Sequence, residues 1–210
     1  MKKLLLILAF GLILFISANG ASAAENQTNG FLTDEEKEEI NAELQVLKEE
    51  INKKLANGET NIEVQSENMK LGLIEKNVMA PSKLKGAPLN TNGSFAAASS
   101  VGSKEYQAYI AHTKGANFSH AVFGTFSWKG DYLTAVNADA DLTGLFFSRS
   151  SKETVVGRDG RIGKDAKVGR VTSKGTFTPV KYWPTSSYTT IIVDVYAPTK
   201  SYRVIDAYIQ

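Results

Sequence analysis

Residues 118–128 read FSHAVFGTFSW; the even positions carry Phe118, His120, Val122, Phe126 and Trp128, with Gly124 the one gap. The odd positions carry Ser119, Thr125 and Ser127 around Ala121 and Phe123. Successive side chains of a strand point to opposite faces, so this alternation predicts a strand with one dry and one wet side. KGD at 129–131 supplies a turn, after which Tyr132, Thr134, Val136, Ala138, Ala140 and Leu142 continue one face. Asn137, Asp139 and Asp141 fall opposite them. The expectation is an antiparallel hairpin whose dry side begins a core.

Toward the C-terminus the same grammar recurs. Val155, Val156 and Ile162 flank Arg158-Asp159-Gly160-Arg161, and Asp-Gly suits a two-residue hairpin loop. Tyr188 to Tyr196 and Tyr202 to Ile209 are β-rich runs joined across residues 197–200. Their simplest register sets Asp194 opposite Arg203 and Val193 opposite Val204. Six or seven short strands punctuated by Gly and Pro predict a mainly β domain over residues 101–210. Its form is an antiparallel β-sandwich or small barrel.

Toward the N-terminus the period changes. Thr33-Asp34-Glu35-Glu36 reads as a capping box, and Ile40, Leu44, Leu47, Ile51 and Leu55 form one apolar stripe on a charged rod. Acids crowd the first turn, Lys53 and Lys54 sit near the end, and Asn57-Gly58 supplies a left-handed stop. Residues 24–58 are therefore expected to be an acidic amphipathic helical segment preceding the β domain. Its stripe must dock on that domain or on a second copy, because an isolated helix of this length is marginal in water. Residues 59–100 read as an irregular segment and linker. Only Ile62 and Val64 alternate there, Leu71, Leu73 and Ile74 form a weak apolar patch, and Pro81 to Ser100 is rich in small and polar residues.

Residues 1–23 read as a secretory signal peptide: Lys2 and Lys3, an apolar run from Leu4 to Ile16, then Ala21-Ser22-Ala23. The run is too short for a spanning helix, which needs about 20 apolar residues. The chain has no cysteine, so disulfides, thiolate metal sites and a lipidated Cys are all excluded. The expected product is secreted, extracellular or loosely held at the cell surface, with no transmembrane anchor after signal removal. Charge is uneven. Residues 25–60 hold ten acids and four bases, whereas residues 99–210 hold nine acids and fourteen bases.

Specific chemistry is hard to find. His112 and His120 lack neighbouring ligands at metal spacing and fall on the apolar phase of their strands, so packed, hydrogen-bonded core-edge histidines are expected. No serine lies in a Gly-x-Ser-x-Gly elbow, although a hydrolytic site assembled from dispersed residues would leave no such mark. Asn137-Ala138-Asp139-Ala140-Asp141 begins like a calcium loop, but Leu142 stands where glycine is required and Ser148 where glutamate is. Gly157 to Lys164 has the wrong glycine spacing for a phosphate loop, and Asp165 would repel phosphate. No cofactor and no metal are implied, and no catalytic residue is assigned.

The informative stretch is basic. Arg149, Lys152, Arg158, Arg161, Lys164, Lys167, Arg170, Lys174 and Lys181 are diluted only by Glu153, Asp159 and Asp165. Of these, Arg158, Arg161, Lys164, Lys167 and Arg170 are the candidate binding residues, together with Tyr182 and Trp183 in a polar loop. Such a surface suits an anionic cell-envelope polymer, an anionic lipid or an acidic protein, and the exposed aromatics suit a sugar or a membrane interface. The ordinary alternatives are solvated loops and a Trp capping the core. The expectation is a non-catalytic extracellular binding or interaction domain. The alternative is a secreted toxin or bacteriocin-like protein with residues 24–98 as a pro-region.

Overall fold

The capping box at Thr33 closes as its sequence requires. Glu36 N–H donates to Thr33 Oγ1 at 3.0 Å while Thr33 N–H donates to Glu36 Oε2 at 2.7 Å. From there α1 (Asp34–Ala56) runs to Asn57 and to Gly58, whose φ of 85° only glycine adopts freely. These observations come from a computed structural model that describes residues 32–74, 101–114, 118–145, 147–157, 166–180 and 186–210. The expected signal peptide and the linker of residues 81–100 lie outside the described residues.

Behind the helix stand two antiparallel sheets. The first holds β1 (Ile62–Gln65), β2 (Met69–Ile74), β3 (Val101–His112) and β4 (Ser119–Lys129) in that order. Both β5 (Tyr132–Val136) and β6 (Asp139–Thr143) pair with the far side of β4. The second sheet holds β7 (Phe147–Gly157), β8 (Val168–Pro179), β9 (Ser187–Tyr196) and β10 (Ser201–Ile209) in simple succession. The architecture is a β-sandwich preceded by one helix. The even phase of β4 does face inward, and Phe118, Val122 and Phe126 are buried against Val171, Phe177, Ile191 and Val193 of the second sheet. Each such side chain contributes roughly 1.5–3 kcal/mol by leaving water.

Among the described residues, eight strands lie in residues 101–210, where six or seven were expected, and two more, β1 and β2, lie in the segment read as irregular. Met69, Leu71 and Leu73 do alternate there, but the run is six residues long and interrupted by Gly72, too short to distinguish from a buried coil. Further along, the 132–142 run is not one strand of constant phase. Trp128 pairs with Leu133 while Ser127 pairs with Ala135, a bulge that leaves one extra residue on β5. Because Lys129 pairs with Tyr132 across the two-residue turn, Leu133 lies opposite inward-facing Trp128 and is buried. Tyr132 and the bulged Thr134, expected on the inner face, point to solvent.

The hairpin expected at Asp159-Gly160 also has a different register. A two-residue loop there would pair Val156 with Gly163, whereas Val156 pairs with Arg170, Val155 with Val171 and Gly157 with Gly169. This register puts Val171, Ser173, Gly175 and Phe177 on the core side. Burial of a whole strand face outweighs the local turn preference. The other C-terminal expectation holds: Arg203 lies opposite Asp194 and Val204 opposite Val193.

The helix stripe docks on its own chain. Ile40, Leu44, Leu47 and Ile51 are buried between β10 and the β1–β2 hairpin. Asn41 completes the free edge of β10, donating to Ile209 O at 2.9 Å and accepting from Ile209 N–H at 2.7 Å. Asn52 donates to Val204 O at 2.8 Å, and on the opposite flank Glu43 accepts from Asn68 N–H and Nδ2. An open strand edge is an aggregation hazard, and α1 covers this one.

Candidate functional site

Cross-strand pairing sorts the second sheet into rows that share its outer face. One row is Ser150, Thr176 and Tyr188, with Gln210 exchanging backbone bonds with Tyr188. The next is Lys152, Lys174, Thr190 and Tyr208. Farther along come Val156, Arg170, Asp194 and then Arg203. The first two rows enclose a shallow groove of about 410 Å³, open to solvent.

Lys152 and Lys174 are directly opposite each other in this groove, and both are exposed. Neither ammonium has an ion-pair or hydrogen-bond partner among the described residues. Like charges placed directly opposite on a sheet cost stability. Glu153, next in sequence to Lys152, does not relieve them, because strand alternation turns it to the other face, toward Ser173.

The other described cations of the basic stretch, Arg149, Lys167 and Arg170, are engaged internally. Arg170 makes a two-pronged bond to Asp194, Nε to Oδ1 at 2.7 Å and Nη2 to Oδ2 at 2.8 Å. That bond holds the guanidinium pKa above its ordinary value and buries the Asp194 carboxylate on a face otherwise open to water. Arg149 donates to Leu142 O at 2.8 Å across the corner between the sheets. The Lys167 ammonium lies 5.5 Å from the centre of the Tyr132 ring.

Arg158, Arg161, Lys164, Tyr182 and Trp183 lie outside the described residues. Lys152 and Lys174, by contrast, are brought side by side only by the β7–β8 register. The one sequence signal for them was membership of the basic stretch.

The histidines are internal. His120 is fully buried between the sheets, with Thr189 Oγ1 at 2.8 Å from Nδ1 and Ser173 Oγ at 2.8 Å from Nε2. Ser173 donates onward to Glu153 at 3.1 Å. Since the Ser173 proton goes to the carboxylate, its oxygen accepts from His120, which fixes the ring as the Nε2–H tautomer receiving the Thr189 proton at Nδ1. Burial lowers the His120 pKa to about 4. A nucleophile–base pair needs the histidine nitrogen to accept from the serine and the carboxylate to hold the far nitrogen. Here the serine's proton points to the carboxylate instead, inside a sealed core. His112 stacks on Phe118 with ring centres 5.4 Å apart and planes 5° from parallel, and burial lowers its pKa too.

Among the described residues no three His, Asp or Glu side chains converge as a metal site, and no helix is long and apolar enough to cross a membrane. Asn137 binds Thr125 N–H through Oδ1 at 2.7 Å, so the side chain that would begin a calcium loop is committed to the sheet. No family model matches the chain, and no curated protein and no solved structure matches it significantly.

Proposed function

We propose that the chain is a secreted, non-catalytic binding domain that holds an anionic component of the cell envelope outside the cell. The observation that carries this reading is the exposed, uncompensated pair Lys152 and Lys174 on the outer face of the second sheet. A fold that neutralises Arg170 with Asp194 but leaves two facing lysines bare has kept a local positive potential at some cost to itself. The signal-like residues 1–23 support export. The buried, outward-donating Ser173 and the sealed His120 support a binding role over a hydrolytic one.

The pro-region reading fits less well. Residues 34–74 supply α1, β1 and β2, whose side chains fill the same core as the rest. The test has two arms. Mass spectrometry of culture medium is expected to show one species beginning near Ala24 or Glu25, and purified envelope is expected to bind it with an affinity that falls steeply as salt rises. Absent or salt-independent binding overturns the proposal.

A further inference from the structure

Resting on that reading, we infer that the groove between β7, β8 and β9 is a subsite for a phosphodiester group within a polymer whose repeat carries a polyol or sugar. Directly opposed residues of an antiparallel pair have Cα atoms about 5 Å apart, so the two lysine side chains rise from neighbouring points on one face. Both ammonium groups can reach a single anion, and a phosphodiester offers two unesterified oxygens, one for each cation. Charge-assisted bonds to phosphate oxygens are among the stronger polar contacts. The hydroxyls of Ser150 and Thr176 line the same groove and supply further donors.

Tyr188 adds what a bare anion would not need. It pairs across β8 with Thr176 in the row beside the lysines, and 48% of its surface is exposed. An exposed ring next to a phosphate site can pack on the C–H face of the sugar or polyol that links one phosphate to the next. The groove walls are hydroxyls, two amines, one tyrosine and Gln210, with no aliphatic side chain to enter a bilayer. That chemistry favours a soluble polymer over a lipid surface. The two cations of this groove are too few for the strings of phosphate contacts that give nucleic-acid binding its affinity.

The experiment titrates the mature chain with a short poly(glycerol phosphate), and in parallel with inorganic phosphate, phosphatidylglycerol vesicles and a DNA oligonucleotide. The double variant Lys152→Gln/Lys174→Gln is expected to weaken poly(glycerol phosphate) binding at least tenfold and to flatten its salt dependence. Tyr188→Ser is expected to weaken it about threefold with the salt dependence unchanged. A control with the same charge loss elsewhere, Lys53→Gln/Lys129→Gln, is expected to bind within twofold of wild type. Since Lys152 and Lys174 are exposed and mutually repulsive, the double variant should melt no lower than wild type, which separates lost binding from lost folding. Equal weakening by the double variant and the control overturns the subsite, as does tighter lysine-dependent binding to vesicles or DNA. If wild type binds envelope and the double variant binds it equally well, the subsite falls while the proposed function stands. If wild type does not bind envelope at all, both fall.

Discussion

His120 has both ring nitrogens engaged in a dry interior, and its neutrality is a condition of the fold. Burial holds its pKa near 4, whereas the unfolded chain titrates near 6.5. The unfolded state therefore binds the proton first as acid is added. The stabilisation is complete above about pH 6.5 and is lost progressively toward pH 4, where the loss amounts to about 3 kcal/mol. Urea unfolding at about pH 7 and pH 4.5 is expected to show a drop of about 2 kcal/mol in wild type that His120→Gln lacks, whatever the variant's absolute stability. An equal drop in both would mean that other groups carry the pH dependence. Ser173→Ala should cost about 1–3 kcal/mol near neutral pH, because it leaves the Nε2–H donor buried without an acceptor. The sequence placed His120 on the inner phase of β4. Ser173 and Thr189 were invisible as its partners, being 53 and 69 residues away and joined to it only by sheet-on-sheet packing.

At the scale of the element, α1 was readable from end to end: cap, stripe and glycine stop all appear where the pattern puts them. What the pattern lacked was the docking surface, since the same stripe would serve a helix dimer. Asn41 settles that physically, because its amide matches the spare N–H and C=O of Ile209 on the β10 edge. Asn41→Ala should cost about 1–3 kcal/mol by leaving that pair uncompensated, and hydrogen exchange should report faster exchange at the Ile209 amide. Unchanged exchange there would mean the edge is covered some other way. The β4–β5 ribbon teaches the opposite lesson. A Cβ on Gly124 would lie 2.1 Å from Asn137 O, the carbonyl that also accepts from Tyr106 Oη at 2.8 Å. Gly124→Ala therefore has to displace backbone and is expected to cost roughly 1–3 kcal/mol by thermal melting. In the sequence Gly124 was only a gap in an alternation, and the two-residue turn after Lys129 with the bulge that follows it turned Tyr132 and Thr134 outward.

At the scale of the whole molecule, the helix, the β1–β2 hairpin and both sheets share one core. The four buried aliphatic residues of α1, Ile40, Leu44, Leu47 and Ile51, at roughly 1.5–3 kcal/mol each, represent most of the 5–15 kcal/mol that a typical domain possesses. A chain beginning at residue 101 is accordingly expected to lack cooperative unfolding and to aggregate through the uncovered β10 edge. Circular dichroism melts and light scattering would show it. A soluble, cooperatively folding 101–210 fragment would instead establish the β region as independent and restore the pro-region reading. The sandwich itself was legible because its long strands alternate. The two strands before residue 101 were not, because β1 and β2 are short and gain their stability from α1 and β3.

Local covalent order was enough to specify what depends on neighbours a few residues apart: the capping box, the amphipathic stripe, the inner phase of β4, and the Asp194–Arg203 register across a short turn. Tertiary structure alone decided which strand lay against which at longer range. It set β8 against β7 in a register that the Asp159-Gly160 turn did not foretell, and so placed Lys152 beside Lys174. The reason is energetic. A turn preference is worth a fraction of what burying an entire strand face is worth, so the core sets the register and the surface chemistry follows from it.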